Sequence, residues 1–487
     1  MSTAVRNLEP KSLWENFAAL NEVPRASKKE ERVIKFMVDF GEKLGFPTVV
    51  DEVGNVIIKK PASPGMEDRQ QVVLQSHLDM VHQKNADTNF DFDTEGIRML
   101  VENDWVRADG TTLGADNGIG VATIMAVLAS TEMKHPAIEA LFTIDEETGM
   151  TGALGLKGGL LDGTIMLNLD TEDDDELTIG CAGGVDITAR GSVPRIDAPE
   201  NIEGYKLMVK GLTGGHSGMD IHKGRGNANK LMNRVLLELT KTAEVYIEGI
   251  DGGGLRNAIP RESFATIAVA VDSLTEVKTK VNELAGILRA EYGSTDPNIE
   301  LLLETAGEPA KVIEPEFTKK ILRAIYAAPN GIYRMSPEIS DLVQTSNNVA
   351  RVLVAGDSYE ILCLTRSSVD TEKDDLQNAL QSTFELIGAE VNTGGAYPGW
   401  TPKPEAEIIK MMTTLYENLF DGSPNVNACH AGLECGILGT NYPGMDMISF
   451  GPNIRGAHSP DEKVQISSVQ KFWKYFVSVL ENIPAKN

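Results

Sequence analysis

Only four cysteines occur in 487 residues, Cys181, Cys363, Cys429 and Cys435. They are too scattered for a disulfide framework and offer no C-x-x-C site. No apolar run approaches the roughly 20 residues that cross a bilayer, and the opening "MSTAVRNLEPKSLWENF" has neither the apolar core nor the cleavage pattern of a signal peptide. A membrane association is therefore not expected, and the cytoplasm is the expected location. Positive charge is scarce: 45 Lys and Arg stand against 71 Asp and Glu, a formal net charge of −26. A surface of that sign repels phosphate backbones, which excludes nucleic acid as an expected partner. It also means that an anionic substrate needs a local cationic pocket. There is no short-period repeat and no low-complexity segment.

What is present is a globular composition, with 41% hydrophobic and 24% charged residues over a length that predicts two or three cores. The first part alternates short apolar runs with helical patterns, as a mostly parallel α/β sheet flanked by helices does. "QVVLQSHLDM", "EALFTIDEE" and "GTIMLNLDTED" each read as a buried strand followed at once by polar residues. Between the first two, "TTLGADNGIGVATIMAVLAS" reads as a loop opening a helix near Asp116 and Asn117. Ligands of open α/β sheets bind beyond the carboxyl ends of the strands, where these acids and His77 fall. From about residue 187 the texture becomes mixed strand and helix, and the Gly- and Pro-rich stretch near "NTGGAYPGWTPKPEA" predicts a return linker. The expected organisation is a catalytic domain over 1–186 and 397–487 with an α+β lid inserted at 187–396. The final amphipathic helix, with Val469, Phe472, Trp473, Phe476, Leu480 and Ile483 on one stripe, is core packing.

Seven histidines are available, and His82, His135 and His222 stand in unremarked contexts. His77 and Asp79 share a face at spacing i, i+2, so Asp79 can accept the second N–H of the imidazole and fix its tautomer toward a metal. An adjacent Glu146–Glu147 pair alone is usually a solvated strand end. Combined with His77, Asp116, Asp170 and His458, one of the two completes a set of two imidazoles and three carboxylates. Such mixed ligation suits Zn²⁺, with Mn²⁺ or Co²⁺ as substitutes. One bridging carboxylate would give three protein ligands to each of two ions.

"SHLDM", "GADNGIG", "DEETGMTGA", "NLDTED", "GGHSGMDI", "RNAIP" and "GAHSPDEKV" occur in order across nearly the whole chain. In this the sequence resembles the di-zinc metallopeptidase family that includes glutamate carboxypeptidases, aminoacylases, tripeptidase and carnosinases. The resemblance is to its dipeptidase branch. It implies hydrolysis of unblocked dipeptides, Xaa-His and β-alanyl-histidine types included, with a small peptide as the only partner needed. It makes Asp116 the bridging ligand, followed by a cis peptide, with His77 and Asp170 on one Zn²⁺ and Glu147 and His458 on the other. It leaves Glu146 as general base, taking a proton from water and delivering it to the leaving amine. It gives His216 the task of polarising the scissile carbonyl, and makes Asn257 and Arg366 the grip on the substrate's C-terminal carboxylate. His430 and Glu434 align with a loop lining the site and are expected to orient the amino end. The insert, about 210 residues by these boundaries, is about twice the lid of simpler members and resembles the enlarged lid of bacterial dipeptidases. A homodimer is thus an expectation on which catalysis need not depend. An N-acyl-amino-acid deacylase is the rival reading. A non-catalytic metal-binding protein fits less well, because a pure metal site needs only one of the two glutamates.

Overall fold

The computed structural model describes residues 3–486. The chain divides into two compact units, residues 1–180, 400–428 and 433–487 in the first and 181–399 with 429–432 in the second.

The first unit is built on a sheet ordered Thr48–Val50, Val56–Lys60, Ile138–Thr143, Val72–His77, Ile165–Asn168, Asp446–Ser449, Glu176–Cys181 and Asn425–Cys429. Its centre is parallel, from Ile138–Thr143 through Asp446–Ser449, and antiparallel strands flank it on both sides. Val72–His77, Ile138–Thr143 and Ile165–Asn168 are buried along their whole length. That explains their near-continuous apolar runs, since parallel strands are covered on both faces. The helix Ala115–Ala129 packs on Val72–His77 and on the helix Lys11–Leu20. It is buried almost all round, which is why its sequence shows no polar stripe. The three central strands run in the same direction. His77, Asp145–Glu147 and Asp170 therefore emerge from one edge of the sheet.

A smaller antiparallel sheet joins Met99–Glu102, Trp105–Ala108, Lys463–Gln465 and Ile454–Arg455. The last two form a hairpin, paired Ile454 to Val464 and Arg455 to Lys463. Its loop carries His458 in a left-handed conformation, φ 64°.

The second unit is a nine-stranded sheet whose strands pair antiparallel. The helices Ala228–Thr242, Leu274–Tyr292, Pro315–Ala327 and Asp370–Glu385 close a core with it that includes Tyr205, Leu236, Ile267, Ile321, Ile361 and Phe384. The strand Gly183–Ser192 starts this unit, and the edge strand Glu390–Tyr397 pairs with it. The stretch "NTGGAY", expected to be linker, is thus strand. Its backbone hydrogen bonds to Gly183–Ser192 outweigh the low strand propensity of its glycines, and irregular chain begins only at Pro398.

Candidate functional site

In the first unit, four ligand-type side chains converge on Asp116. His77 Nε2 lies 3.1 Å from Asp116 Oδ1 and 3.5 Å from Asp170 Oδ1. His458 Nε2 lies 3.2 Å from Asp116 Oδ2 and 2.9 Å from Glu147 Oε2. Asp116 thus turns one oxygen toward each imidazole. Two trios result, His77–Asp116–Asp170 and Asp116–Glu147–His458, the candidate ligand atoms of each within 4.8 Å of one another. The peptide bond from Asp116 to Asn117 is cis.

The donor set fits divalent ions. Glu147 Oε1 and Asp170 Oδ1 are buried without a hydrogen-bond donor, a costly state for a carboxylate unless a cation faces it. The protonation equilibria of the metal-free chain show the same excess of negative charge. Burial pushes Asp170 up to about 6. It raises Glu172 to about 8, with the charges of Asp116 and Asp170 adding to the shift. Hydrogen bonds that His458 donates to Asp116 and Glu147 drive it up to about 11. Burial disfavours a charged His77, but Asp170, Asp116 and Asp79 outweigh it and hold the imidazole well above its ordinary range. Burial likewise opposes ionised Asp116, yet His458 and His77 keep it below the usual carboxylate range.

Asp79 is fully buried, its Oδ1 3.3 Å from His77 Nδ1. It also accepts from the backbone N–H groups of Glu146 and Glu147, at 3.0 and 3.3 Å, and from Ser27 Oγ at 2.8 Å. Glu146 stands at the start of the turn Glu146–Gly149, beside the trios but in neither of them. Burial raises its carboxyl well above the usual range, with Asp170 and Glu434 adding to the shift and the His77 charge opposing it.

Glu434 is only 1% exposed and opens the helix Glu434–Asn441. Its Oε2 accepts from Gln75 at 2.7 Å and from Thr143 at 2.6 Å, while Oε1 is buried with no partner. Burial pushes it up to about 7. His430 belongs to the second unit, so the pair that sequence reading grouped together is divided between the units.

In the second unit, His216 follows a Gly-rich turn, and its short strand pairs with Ala258–Ile259. Its Nδ1 accepts from the N–H groups of Gly218 and Met219 at 3.2 and 3.1 Å. Two donors on Nδ1 put the proton of the neutral ring on Nε2, leaving that atom a donor. Burial, then the charge of Arg366, lowers its pKa and favours the neutral form. Gly218 is required here, because a Cβ would lie 2.1 Å from the His430 carbonyl oxygen. Arg366 is buried and donates from Nη1 to Tyr397 Oη at 2.8 Å. His430 Nε2 lies 2.7 Å from Ser346 Oγ, and Nδ1 has no partner. Burial, then the charges of Arg366, His216 and His222, pushes His430 down to about 3. Arg366 is thus a local cation in an acidic chain. Asn257 is exposed. Its loop is fixed by Asn348, which donates to the carbonyls of Arg256 and Ala258 at 3.0 and 2.8 Å.

The remaining histidines stay apart: His82 is exposed beside Phe92, His135 hydrogen-bonds a neighbouring carbonyl, and His222 lies exposed in a single turn. Sequence reading missed Tyr397, Gln75 and Thr143, which hold the charged groups named above. It also missed Arg25 and Glu462.

Residues 73–482 match the model of peptidase family M20/M25/M40. The chain belongs to this family. It is similar to the cytosol non-specific dipeptidase of Escherichia coli strain K12, 44% identical over 479 residues, covering 98% of this chain and 99% of that protein. The solved aminoacylhistidine dipeptidase of Vibrio alginolyticus matches with a TM-score of 0.95 at 44% identity, over 99% of each chain. An aminopeptidase of Bacillus cereus, 15% identical with a TM-score of 0.58 over 98% of this chain and 99% of its own, shares the fold alone. The fold is thus that of the M20 metallopeptidases. Among the described residues no helix is long and apolar enough to cross a membrane.

Proposed function

We propose that this member of the family is a cytoplasmic dipeptidase holding two Zn²⁺, one on His77, Asp116 and Asp170, the other on Asp116, Glu147 and His458. The observation that carries this reading is Asp116, which directs one oxygen to each imidazole–carboxylate pair. Zinc bound there supplies Lewis acidity and a more acidic water. The chain's own groups do the rest. Glu146 takes the proton of the attacking water at its carboxylate and delivers it to the leaving nitrogen. Asp79 orients His77 through Nδ1 and anchors the backbone of Glu146. His216 offers its Nε2 proton to the carbonyl oxygen as that oxygen becomes negative. Arg366, with Asn257, binds the terminal carboxylate, which limits the substrate to about one residue beyond the scissile bond.

A free amine, rather than an acyl group, is supported by Glu434, whose buried Oε1 has no donor. The names of the 44%-identical relatives support dipeptides as the substrate class. The test is a panel of dipeptides, their N-acetyl and C-amide forms, and tripeptides, with zinc added to chelator-treated protein. Dipeptides should be cleaved well and the other three poorly. Preference for the N-acetyl forms would overturn the reading in favour of a deacylase.

A further inference from the structure

The turn that carries Asp116 is gripped from both sides by two buried ionisable residues outside the ligand set. Glu462, 2% exposed, accepts four successive backbone N–H groups. Oε2 takes those of Leu113 and Gly114 at 2.7 and 2.9 Å, and Oε1 takes those of Ala115 and Asp116 at 2.7 and 3.2 Å. Arg25, also 2% exposed, meets the carbonyls of the same region. Nη2 donates to Gly114 O at 2.5 Å and to Asn21 Oδ1 at 3.1 Å, while Nη1 donates to Leu78 O at 3.0 Å and Asp79 O at 3.1 Å. Arg25 thus ties the turn before Asp116 to the segment just after His77. Glu462 ties it to the hairpin loop that carries His458.

The glycines of "GADNG" belong to this arrangement. A Cβ on Gly114 would lie 2.5 Å from Arg25 Nη2, and one on Gly118 would lie 2.6 Å from the same atom. Gly114 also sits at φ 68°, so its replacement is strained in any case. Gly118 has no such backbone demand. Its lack of a side chain makes room for the guanidinium.

We propose that Arg25 and Glu462 act as a positioning pair: together they lock the Leu113–Asp116 turn so that the two oxygens of Asp116 face both metal positions at once. This rests on the reading of Asp116 as the shared ligand. An arrangement fixed by four N–H bonds on one side and carbonyl bonds on the other leaves the carboxylate little freedom to favour one ion over the other. Loosening it should weaken both positions together, whereas loss of a terminal ligand such as Asp170 weakens one.

The decisive measurement is zinc affinity by chelator competition, with the cobalt(II) absorption spectrum as a report on ligand geometry. Circular dichroism and melting of the metal-free protein report on folding. Glu462→Gln keeps the shape but replaces one acceptor oxygen with an amide that faces N–H donors. It should weaken both positions by about 10–100-fold, the usual effect of losing a group that orients a ligand, and should alter the cobalt spectrum while the metal-free fold persists. Should that variant fail to fold, Gly118→Ala, whose Cβ would press on Arg25 Nη2 at 2.6 Å and more lightly on Phe17 at 3.0 Å, is read the same way. Unchanged affinity and spectrum in the folded variant, or weakening confined to one position, would overturn the pair. Asp116→Asn separates the two layers of the argument. If it leaves one ion at full strength, the shared-ligand reading has failed. If it removes both while Glu462→Gln and Gly118→Ala remove neither, the pair alone has failed.

Discussion

The backbone N–H of Glu146 donates to Asp79 Oδ1 at 3.0 Å, and the same oxygen lies 3.3 Å from His77 Nδ1. One buried carboxylate therefore aligns both a metal-ligand candidate and the candidate base. Asp79→Asn would keep the side-chain volume but can turn its amide toward one of these donors. Zinc affinity should fall about 10–100-fold, and kcat should remain depressed even at saturating zinc, because the Glu146 backbone has lost its anchor. Full recovery of kcat with added zinc would confine Asp79 to the metal.

Glu146→Gln should retain both ions and lose turnover by about 10²–10⁴-fold, the range for a positioned proton carrier. Glu147→Gln should instead lose one ion. Elemental analysis beside initial rates distinguishes the two, and near-normal activity in Glu146→Gln would remove it as the base.

Arg366→Ala should raise KM for free dipeptides by at least tenfold without changing metal content. Amidated dipeptides, poor for the native enzyme, should be no worse for the variant. Tyr397→Phe removes the hydroxyl that holds Nη1 and should show a weaker form of the same defect. Equal cleavage of amides and free acids by the native enzyme would eliminate the carboxylate grip.

His430 gives a pH prediction with a definite sign. Burial first, then nearby positive charge, lowers its folded pKa to about 3 from the ordinary 6.5. Between those values the unfolded chain binds a proton that the folded chain does not. The contribution is therefore full above pH 6.5 and is lost progressively as pH falls toward 3. His430→Gln, which cannot titrate, should narrow the loss of Tm between pH 7 and pH 5 relative to the native chain. Parallel Tm curves would show that His430 does not titrate as described.

The residues that read clearly in the sequence were those whose chemistry is local to a motif. His77 with Asp79, the Glu146–Glu147 pair and Asp170 each end a buried strand, and strand ends can be recognised without tertiary knowledge. The supporting groups were not visible, because their meaning lies in partners far along the chain. Arg25 meets Gly114, and Glu462 meets Leu113 across 349 residues. Nothing near "VPRAS" indicates a buried guanidinium. Glu462 lies inside a motif that drew attention to its histidine alone. Tyr397 was hidden in a stretch whose glycines and prolines suggested irregular chain, and only its pairing with Gly183–Ser192 makes it strand. Glu434 was noticed, but its burial beneath Gln75 and Thr143 depends on a separation of hundreds of residues.

The interrupted course of the first unit has a consequence for biosynthesis. Asp446–Ser449 pairs with Ile165–Asn168, and the hairpin bearing His458 and Glu462 follows it. A ribosome has therefore released nearly the entire polypeptide before this sheet can be completed or His458 can meet Asp116 and Glu147. The second unit, almost one uninterrupted stretch from 181 to 399, has no such delay and can collapse while the rest is still being made. Pairings of such long sequence separation form slowly. The nascent first unit thus spends its longest exposed interval with one edge of Ile165–Asn168 unpaired, awaiting Asp446–Ser449. That interval is where chaperone dependence and aggregation of this protein should concentrate, and a chain truncated before Asp446 should be insoluble rather than merely inactive.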